Sequence, residues 1–370
     1  MEEEKKEKAT NLELLRHFIA SAIIYGIILL CLIFCPAYYE TIEENSGFDY
    51  TIFFTVFYLG YLLIAPIIYW TVRPISVKDS RNMTIFGYFA RQFSKDMPVE
   101  HFLKGLEPTE KEKQAMMIVF MQAFFGVYCV NTLCNNYLPS FGYNLDFLKV
   151  MFEQAVQYIT AGSGILSGII QYLNDTGDMW IKLAMTINLI ILAISYLSDL
   201  DLFKNKIKSV DTTPLGVISC IMCYYPVVLL TDKFLQVTED SLLPVNNSTL
   251  LAGLNLFAII ANFGMMIAVL RLGTKSGNLT NRGIVTGFPY NVVRHPEYSM
   301  QIFYIIITTI PLYLASDMGY GDKFFVTVTT LAWIFIYYLR AITEERHLIK
   351  DSKYQEYVLN VKHRFLPWLI

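Results

Sequence analysis

Charge is what this chain has least of. Asp, Glu, Lys and Arg make up only 16% of its 370 residues, against about a quarter in ordinary soluble domains. That is too little polar cover for a water-facing surface, so a soluble enzyme and a disordered scaffold are both excluded. No sign dominates either: 29 basic and 32 acidic residues leave a net charge of −3, which offers no basic field for nucleic acid. Cysteine is scarce as well. Cys31, Cys35, Cys129, Cys134, Cys220 and Cys223 are too few for a disulfide framework and lie mostly in apolar runs. Cys220-x-x-Cys223 has no His or second cysteine pair near it, whereas zinc wants four ligands. The pair reads as small buried hydrophobes, and no metal is expected. The chain has no internal repeat, no low-complexity tract and no Ser-His-Asp or HExxH arrangement. Residues 1–8 mix acidic and basic side chains, unlike a signal or transit peptide. Gly162-x-Gly164 follows no strand, so it fails as a dinucleotide loop.

What the chain has in abundance is apolar side chains, 54% by count, with a mean hydropathy of +0.42. A membrane span needs about 20 mostly apolar residues to cross a core about 30 Å thick. Suitable runs occupy 18–39, 51–72, 115–133, 180–197, 213–230, 249–270, 300–315 and 324–339. A ninth stretch, 150–173, is ambiguous: it holds Glu153, Gln154, Gln157 and Gln171, and also the small-residue spacing Gly164-Ile165-Leu166-Ser167-Gly168, which lets helices approach closely.

Basic residues arbitrate, because cytoplasmic loops are enriched in them. Eight spans put 25 of the 29 Lys and Arg residues on the side that holds both termini, leaving only Lys149, Lys182, Lys233 and Lys323 on the other. Nine spans give a nearly even split. The expectation is an all-α, polytopic bundle of about eight spans with both termini cytosolic and 150–173 re-entrant or interfacial. Residues 1–178 form an N-terminal membrane region without a recognisable role and 179–370 a second membrane domain. Sequons at Asn174, Asn246 and Asn247 fall in loops that this topology places on the non-cytosolic side.

The chemistry-bearing residues gather at the C-terminal end. His295, His347 and His363 lie in the last 76 residues, beside Arg294, Arg340, Arg346, Arg364 and the pair Glu344-Glu345. Val293-Arg294-His295-Pro296-Glu297-Tyr298 reads as a loop entering a helix, since proline suits the first helical turn. The free N–H groups of such a helix start attract an anion. The alternative is a surface cap with Arg294 reaching to lipid headgroups. Arg340 and Glu344 are four apart and share a face, as a surface ion pair or as holders of an anionic and a cationic ligand. Glu345 points about 100° away from them by helical periodicity. Tyr354, Tyr357, Val358 and Val361 form the apolar stripe of a short amphipathic helix lying on the membrane or over the site.

Four elements in this order carry a resemblance: Gly287 through Tyr298, containing Arg294-His295-Pro296-Glu297-Tyr298; Glu344-Glu345-x-x-Leu348; Tyr354-x-x-Tyr357; and Arg364-Phe365-x-Pro367. Together, over roughly residues 270–370, they resemble the isoprenylcysteine carboxyl methyltransferase family. The related phospholipid methyltransferases share the RHPxY and EE elements. Eukaryotic members of the family are similar in having eight spans.

The resemblance implies S-adenosylmethionine bound between the last two spans and the cytosolic tail. It implies cofactor contacts at Arg282, Ile284, Val285, Tyr290, His295, Pro296, Glu297, Tyr298, Glu344 and Glu345. Arg340 and Arg364 would serve a substrate carboxylate, with Arg340 and Glu344 the catalytic pair. The acceptor would be lipid-linked, most simply the carboxylate of a prenylated cysteine. Membrane lipids would be further partners, residues 1–178 could dock into a membrane complex, and the location would be the endoplasmic reticulum or another internal membrane with the site on the Lys/Arg-rich face. Methyl transfer to a carboxylate needs in-line approach and loss of water rather than acid or base, and the Tyr290 and Tyr298 faces suit a sulfonium. The chain departs from the family at Met300 and Ile307, where the family has glycines; Met300 is then expected to narrow the pocket, mark a subfamily or mark loss of the reaction. The competing readings are a phospholipid N-methyltransferase, a non-catalytic subunit of a membrane assembly and, more distantly, an NADPH-binding sterol reductase.

Overall fold

The computed structural model describes residues 9–34, 49–72, 77, 80–92, 107–142, 146–160, 164–199, 204–232, 235, 245–314 and 319–367. Among these the fold is all-helical, apart from one two-residue antiparallel strand pair. Six helices are long and apolar enough to cross a membrane: Asn11–Ile33, Thr51–Val72, Glu110–Phe141, Ile165–Leu197, Ser248–Lys275 and Tyr320–Leu348. The protein is therefore an integral membrane protein in kind. The chain divides into two compact units, Met1–Phe124 and Phe125–Ile370. No boundary falls at residue 178, because one helix runs unbroken from Ile165 to Leu197.

The first unit is built on α1 (Asn11–Ile33), α2 (Tyr50–Val72) and α3 (Arg81–Gln92), and it includes the start of α4 (Glu110–Thr132). Helix α1 starts where Thr10 and Glu13 form a reciprocal capping box, which satisfies two otherwise orphaned backbone donors. It packs on both α2 and α3. Buried polar pairs set the register: Asn82 donates to Ser21 Oγ at 2.9 Å, and Tyr58 donates to the Ala22 carbonyl at 2.9 Å. Such pairs are specific in an apolar setting because an unpaired polar group there is costly. The rest of α2 shows Ile52, Val56, Phe57, Leu63 and Ile67 outward, as a lipid-facing helix does. The C-terminal end of the first expected span, beyond residue 34, and the short 1–8 segment lie outside the described residues.

In the second unit α5 (Asp146–Thr160) and α6 (Ile165–Leu197) form a hairpin. This corrects the view of 150–173 as one element: the chain breaks near Gly164, whose φ of +94° suits glycine alone. Gly168 then lies so close to the Tyr158 carbonyl that a Cβ would sit 2.2 Å from its oxygen. The small-residue spacing does bring helices together, but the two helices flank it in sequence. At 33 residues α6 is roughly 50 Å long at 1.5 Å per residue, so it begins well before residue 180. Asn174 therefore sits inside a helix and donates to the Ser248 carbonyl at 3.0 Å, while Asn246 and Asn247 are exposed just before α9, whose start the Asn247 side chain caps.

The expected span 213–230 is broken too. It consists of α7 (Pro214–Ile221) and α8 (Val228–Asp232) with irregular backbone between. Proline at 226 removes an N–H and disfavours helical geometry at Tyr225. Irregular backbone at membrane depth is tolerated where it is buried in protein or lines a cavity, and Tyr224 in this break does border a cavity. Beyond it come α9 (Ser248–Leu272), α10 (Pro296–Leu314), α11 (Tyr320–Leu348) and α12 (Ser352–Asn360), with β1 (Ser209–Val210) paired to β2 (Thr280–Asn281). Helices α6, α9, α10 and α11 pack in that succession. Ile181, Leu254, Ala258 and Ile307 fill one seam and Ile305, Trp333 and Ile336 another, with Cys223 against the latter. Cys220 is buried, so both cysteines pack as small hydrophobes.

Candidate functional site

A cavity of about 110 Å³, continuous with a wider open mouth, lies in the second unit. Most of its wall comes from the turn after α9 through β2, the loop into α10, the end of α11, and α12, with Leu192 of α6 and Tyr224 between α7 and α8 added.

The turn after α9 is fixed from beneath. Ser195 near the end of α6 donates to the carbonyls of Thr274 and Ser276, and the Asn278 N–H donates to the Tyr196 hydroxyl at 2.6 Å. Arg282 is buried and its Nη1 donates to the Asn205 carbonyl at 2.9 Å. Gly283, at φ +104°, turns the chain so that Ile284 and Val285 reach the cavity.

The loop into α10 is held by the C-terminal tail. The backbone N–H groups of Arg294 and His295 donate to the carbonyls of His363 and Arg364, each at 2.9 Å. Ser299 Oγ donates to the Phe365 carbonyl at 2.7 Å. Arg294 does not reach toward headgroups: its side chain is buried, donating to Glu345 and to the carbonyls of Val361 and Lys362. Helix α10 starts at Pro296, so Pro296, Glu297 and Tyr298 border the cavity at the end where helical N–H groups are free.

Glu344 and Glu345 divide the work between them. Glu344 borders the cavity and accepts from the Tyr298 hydroxyl at 2.9 Å. Glu345 turns away from it and takes Arg294 at 2.7 Å, His295 Nε2 at 3.1 Å and Arg364 at 3.0 Å. A carboxylate only accepts, so His295 carries a proton on Nε2. The 100° helical step between the two glutamates sends one to the cavity and the other to a structural latch. Glu345 is thus no part of the cavity wall, and Arg364 is engaged by Glu345 instead of a ligand.

Arg340 lies behind the wall. It is buried, with its guanidinium over the rings of Tyr224, Tyr298 and Tyr337 at 5.4, 4.8 and 5.1 Å. Its Nη2 donates to Asn278 Oδ1 at 2.8 Å and to the Tyr224 hydroxyl at 3.2 Å. It forms no ion pair with Glu344, so of the two readings of these residues the surface ion pair is not the one observed. The Tyr298 ring also carries His295 parallel to it, 5.4 Å between centroids. Tyr298 is therefore already occupied, and of the two tyrosines expected to face a sulfonium Tyr290 is the one left. Burial pushes the Tyr290 phenol well above its ordinary value, with the Glu297 and Glu344 carboxylates adding to the effect, so it stays neutral.

Helix α12 adds a further wall. Tyr354 and Tyr357 border the cavity and pack with Ala268, Tyr290 and Val361, and the Tyr357 hydroxyl donates to the Tyr290 carbonyl at 2.6 Å. Of the two places the amphipathic pattern allowed, over the site is the one observed.

Of the sequence candidates, Arg282, Ile284, Val285, Tyr290, His295, Pro296, Glu297, Tyr298 and Glu344 border one cavity, and Glu345, Arg340 and Arg364 do not. The histidine cluster disperses: His347 hydrogen-bonds Ser209 Oγ at 3.1 Å, and His363 contributes its backbone. Met300 does not narrow the cavity. It packs against Gly264 of α9, where a Cβ would meet Met300 Cγ and Sδ at 2.8 Å, and Ile307 faces the seam of α6 and α9. Sequence reasoning missed Tyr224, Asn278 and Lys275; the only signal for Tyr224 was a proline-interrupted apolar run. No protein-family model matches the chain, and no curated protein matches it.

Proposed function

We propose that this is a membrane methyltransferase that uses S-adenosylmethionine and a lipid-linked acceptor, most simply the carboxylate of a prenylated cysteine. The observation that carries the reading is that nine of the residues expected to touch the cofactor, drawn from three separated stretches, border a single cavity. The residues fit such a group. Glu297 and Glu344 offer negative charge for an ammonium or sulfonium, and the start of α10 offers N–H groups for a carboxylate. Ile284, Leu348, Tyr290, Tyr354 and Tyr357 offer apolar and aromatic walls for a flat heterocycle.

Bound there, S-adenosylmethionine would supply an electrophilic methyl group, the S–C bonding pair passing to sulfur as an acceptor oxygen bonds to carbon. The chain's own residues have to orient and dry the reactants. Tyr354 and Tyr357 of α12 line one wall with apolar ring faces, which limits the water that can reach an anionic nucleophile. The buried Arg340 charge, set against three tyrosine rings, lends positive potential to the wall formed by Tyr224, Asn278 and Tyr298. That potential suits an anionic acceptor, which supports the carboxylate reading over phospholipid amines. We place the site on the cytosolic face of an internal membrane, with the first unit, Met1–Phe124, available to partners.

The test is thermal unfolding in detergent with S-adenosylmethionine or S-adenosylhomocysteine. Ligand at 100 times its dissociation constant stabilises by about 2.7 kcal/mol, so a clear upward shift of the midpoint is expected. A flat response at millimolar ligand defeats the reading, and a response to NADPH instead points to reductase chemistry. Tritium from labelled cofactor should appear in base-labile esters; label in phospholipid amines would reassign the acceptor.

A further inference from the structure

Tyr224 lies outside the segment that carries the family resemblance, in the break between α7 and α8. Its ring is held edge-on by Phe125 at 4.8 Å and Tyr128 at 5.1 Å, and the residue borders the cavity. Its hydrogen bonds can be assigned completely. A guanidinium has donors and no acceptor. Arg340 Nη2, 2.8 Å from the Asn278 side chain, therefore fixes that atom as the amide oxygen. The Asn278 NH₂ then faces Tyr224, donating to its hydroxyl oxygen at 3.0 Å, and Arg340 Nη2 donates to the same oxygen at 3.2 Å. Turning the Asn278 amide over would set NH₂ against the guanidinium, donor against donor, so the orientation is not a free choice.

The consequence concerns the phenolic proton. The Tyr224 oxygen receives two donors, one of them charged, and neither neighbour can accept from it. We propose that Tyr224 is a preset hydrogen-bond donor for an anionic oxygen at the head of the ligand that enters this cavity, with Arg340 and Asn278 acting through it as positioning residues. Arg340 itself, enclosed by three rings, selects the anion through the Tyr224 hydroxyl. Donation by a charged group to a hydroxyl oxygen polarises its O–H bond and strengthens the bond it donates in turn. The break at Pro226 has a role in this arrangement: it removes Tyr224 from regular helix and leaves its ring wedged between α4 and Arg340.

The ligand chemistry is an oxyanion on a lipid, a carboxylate or a phosphate. Only its identification as a prenylcysteine carboxylate rests on the methyltransferase reading. The experiment uses the full-length protein in nanodiscs and compares wild type with Tyr224→Phe by calorimetry. The probes are N-acetyl-S-farnesylcysteine, its methyl ester, lysophosphatidic acid and S-adenosylhomocysteine. A hydrogen bond to a charged partner predicts about tenfold weaker binding of the acid by Tyr224→Phe, with the ester and S-adenosylhomocysteine unchanged. The same selective loss for lysophosphatidic acid alone supports the donor and assigns the oxyanion to a phosphate. Equal binding of both anions to the two proteins, or equal loss for acid and ester, overturns the proposal. Should Tyr224→Phe fold poorly, 3-fluorotyrosine at position 224 gives a second readout: its fluorine resonance should move with the acid and not with the ester, and identical responses count against the donor. Failure of S-adenosylhomocysteine to bind wild type would weigh against the methyltransferase reading, while the acid–ester contrast decides Tyr224 whichever way that falls.

Discussion

Arg294 donates through Nε to Glu345 at 2.7 Å with both side chains nearly out of solvent, 6% and 13% exposed. The same carboxylate receives His295 and Arg364, and the same guanidinium holds the carbonyls of Val361 and Lys362. One ion pair therefore ties the start of α10, the end of α11 and the C-terminal tail into a latch beside the cavity. Removing one partner of a buried pair costs about 3–5 kcal/mol because the other charge is left uncompensated. Glu345→Ala should fall in that range by thermal or denaturant unfolding, and the tail beyond Asn360 should become sensitive to protease. Glu345→Gln, whose amide oxygen can still accept from Arg294 and His295 while its NH₂ meets Arg364, should cost less. A Glu345→Ala protein as stable as wild type would mean that the latch carries no stability.

A second prediction concerns the positions where glycine was expected. Met300 occupies space that Gly264 leaves open across the α9–α10 contact. Gly264→Ala places a methyl 2.8 Å from Met300 Cγ and Sδ, and overpacking of this kind costs about 1–3 kcal/mol. Met300→Ala should relieve it, so the double variant should be more stable than the sum of the single effects predicts. Binding of S-adenosylhomocysteine should be the same in all four proteins, since Met300 is not part of the cavity wall. A large loss of binding in Met300→Ala would put that side chain back in the pocket.

How much of this was legible can be argued from particular residues. The long apolar runs announce a membrane protein, and the helix start at Pro296 and the wall at Tyr354 and Tyr357 follow from local rules: proline geometry and an apolar stripe. What local rules do not supply is which of two neighbouring carboxylates faces a ligand. Glu344 and Glu345 differ by one helical step, and only the position of Arg294, about 50 residues away in the chain, sends Glu345 to the latch. Tyr224 was hidden for a similar reason. A run such as 213–230 reads as a uniform span by hydropathy, and a single proline decides that it is two short helices with a tyrosine at the break. Arg340 and Glu344 share a helical face, yet Asn278 and three tyrosine rings compete for the guanidinium and win it.

A third prediction is a pH dependence. Asp351 caps α12, accepting from the Lys353 N–H at 3.0 Å, and also accepts from Asn281 at 3.0 Å and pairs with Lys208 at 3.4 Å. The Asn281 hydrogen bond, the cap and the lysine together hold its carboxyl below the usual range. A carboxyl depressed in the folded state contributes stability above its unfolded value, which is lost as pH falls through the folded one. The contribution is thus present at pH 7 and disappears below about pH 4, the ordinary Asp value. Asp351→Asn retains a capping side chain but not the charge. Denaturant unfolding should therefore show wild type more stable at pH 7, with the two proteins converging as pH drops below 4. A difference that persists unchanged at pH 3 would rule out Asp351 as its source.

The last prediction separates Arg340 from Glu344. They are one helical turn apart, but Glu344 is engaged with Tyr298, and Arg340 with Tyr224 and Asn278. Glu344→Gln should leave the fold intact and weaken S-adenosylhomocysteine about tenfold, because an ammonium loses a charged partner worth roughly 1.5–3 kcal/mol. Arg340→Lys should keep the cofactor product bound and weaken the anionic acceptor, because a lysine ammonium cannot span Asn278 Oδ1 and the Tyr224 hydroxyl from a planar fork. In a double-mutant cycle on unfolding free energy, a direct ion pair would appear as a coupling of about 0.5–3 kcal/mol. Here the coupling should lie at the low end of that range, about 0.5 kcal/mol, since the two side chains share no hydrogen bond and meet only through Tyr298. A coupling of 1 kcal/mol or more, with parallel losses of both ligands in each variant, would mean that the two residues act as a pair after all.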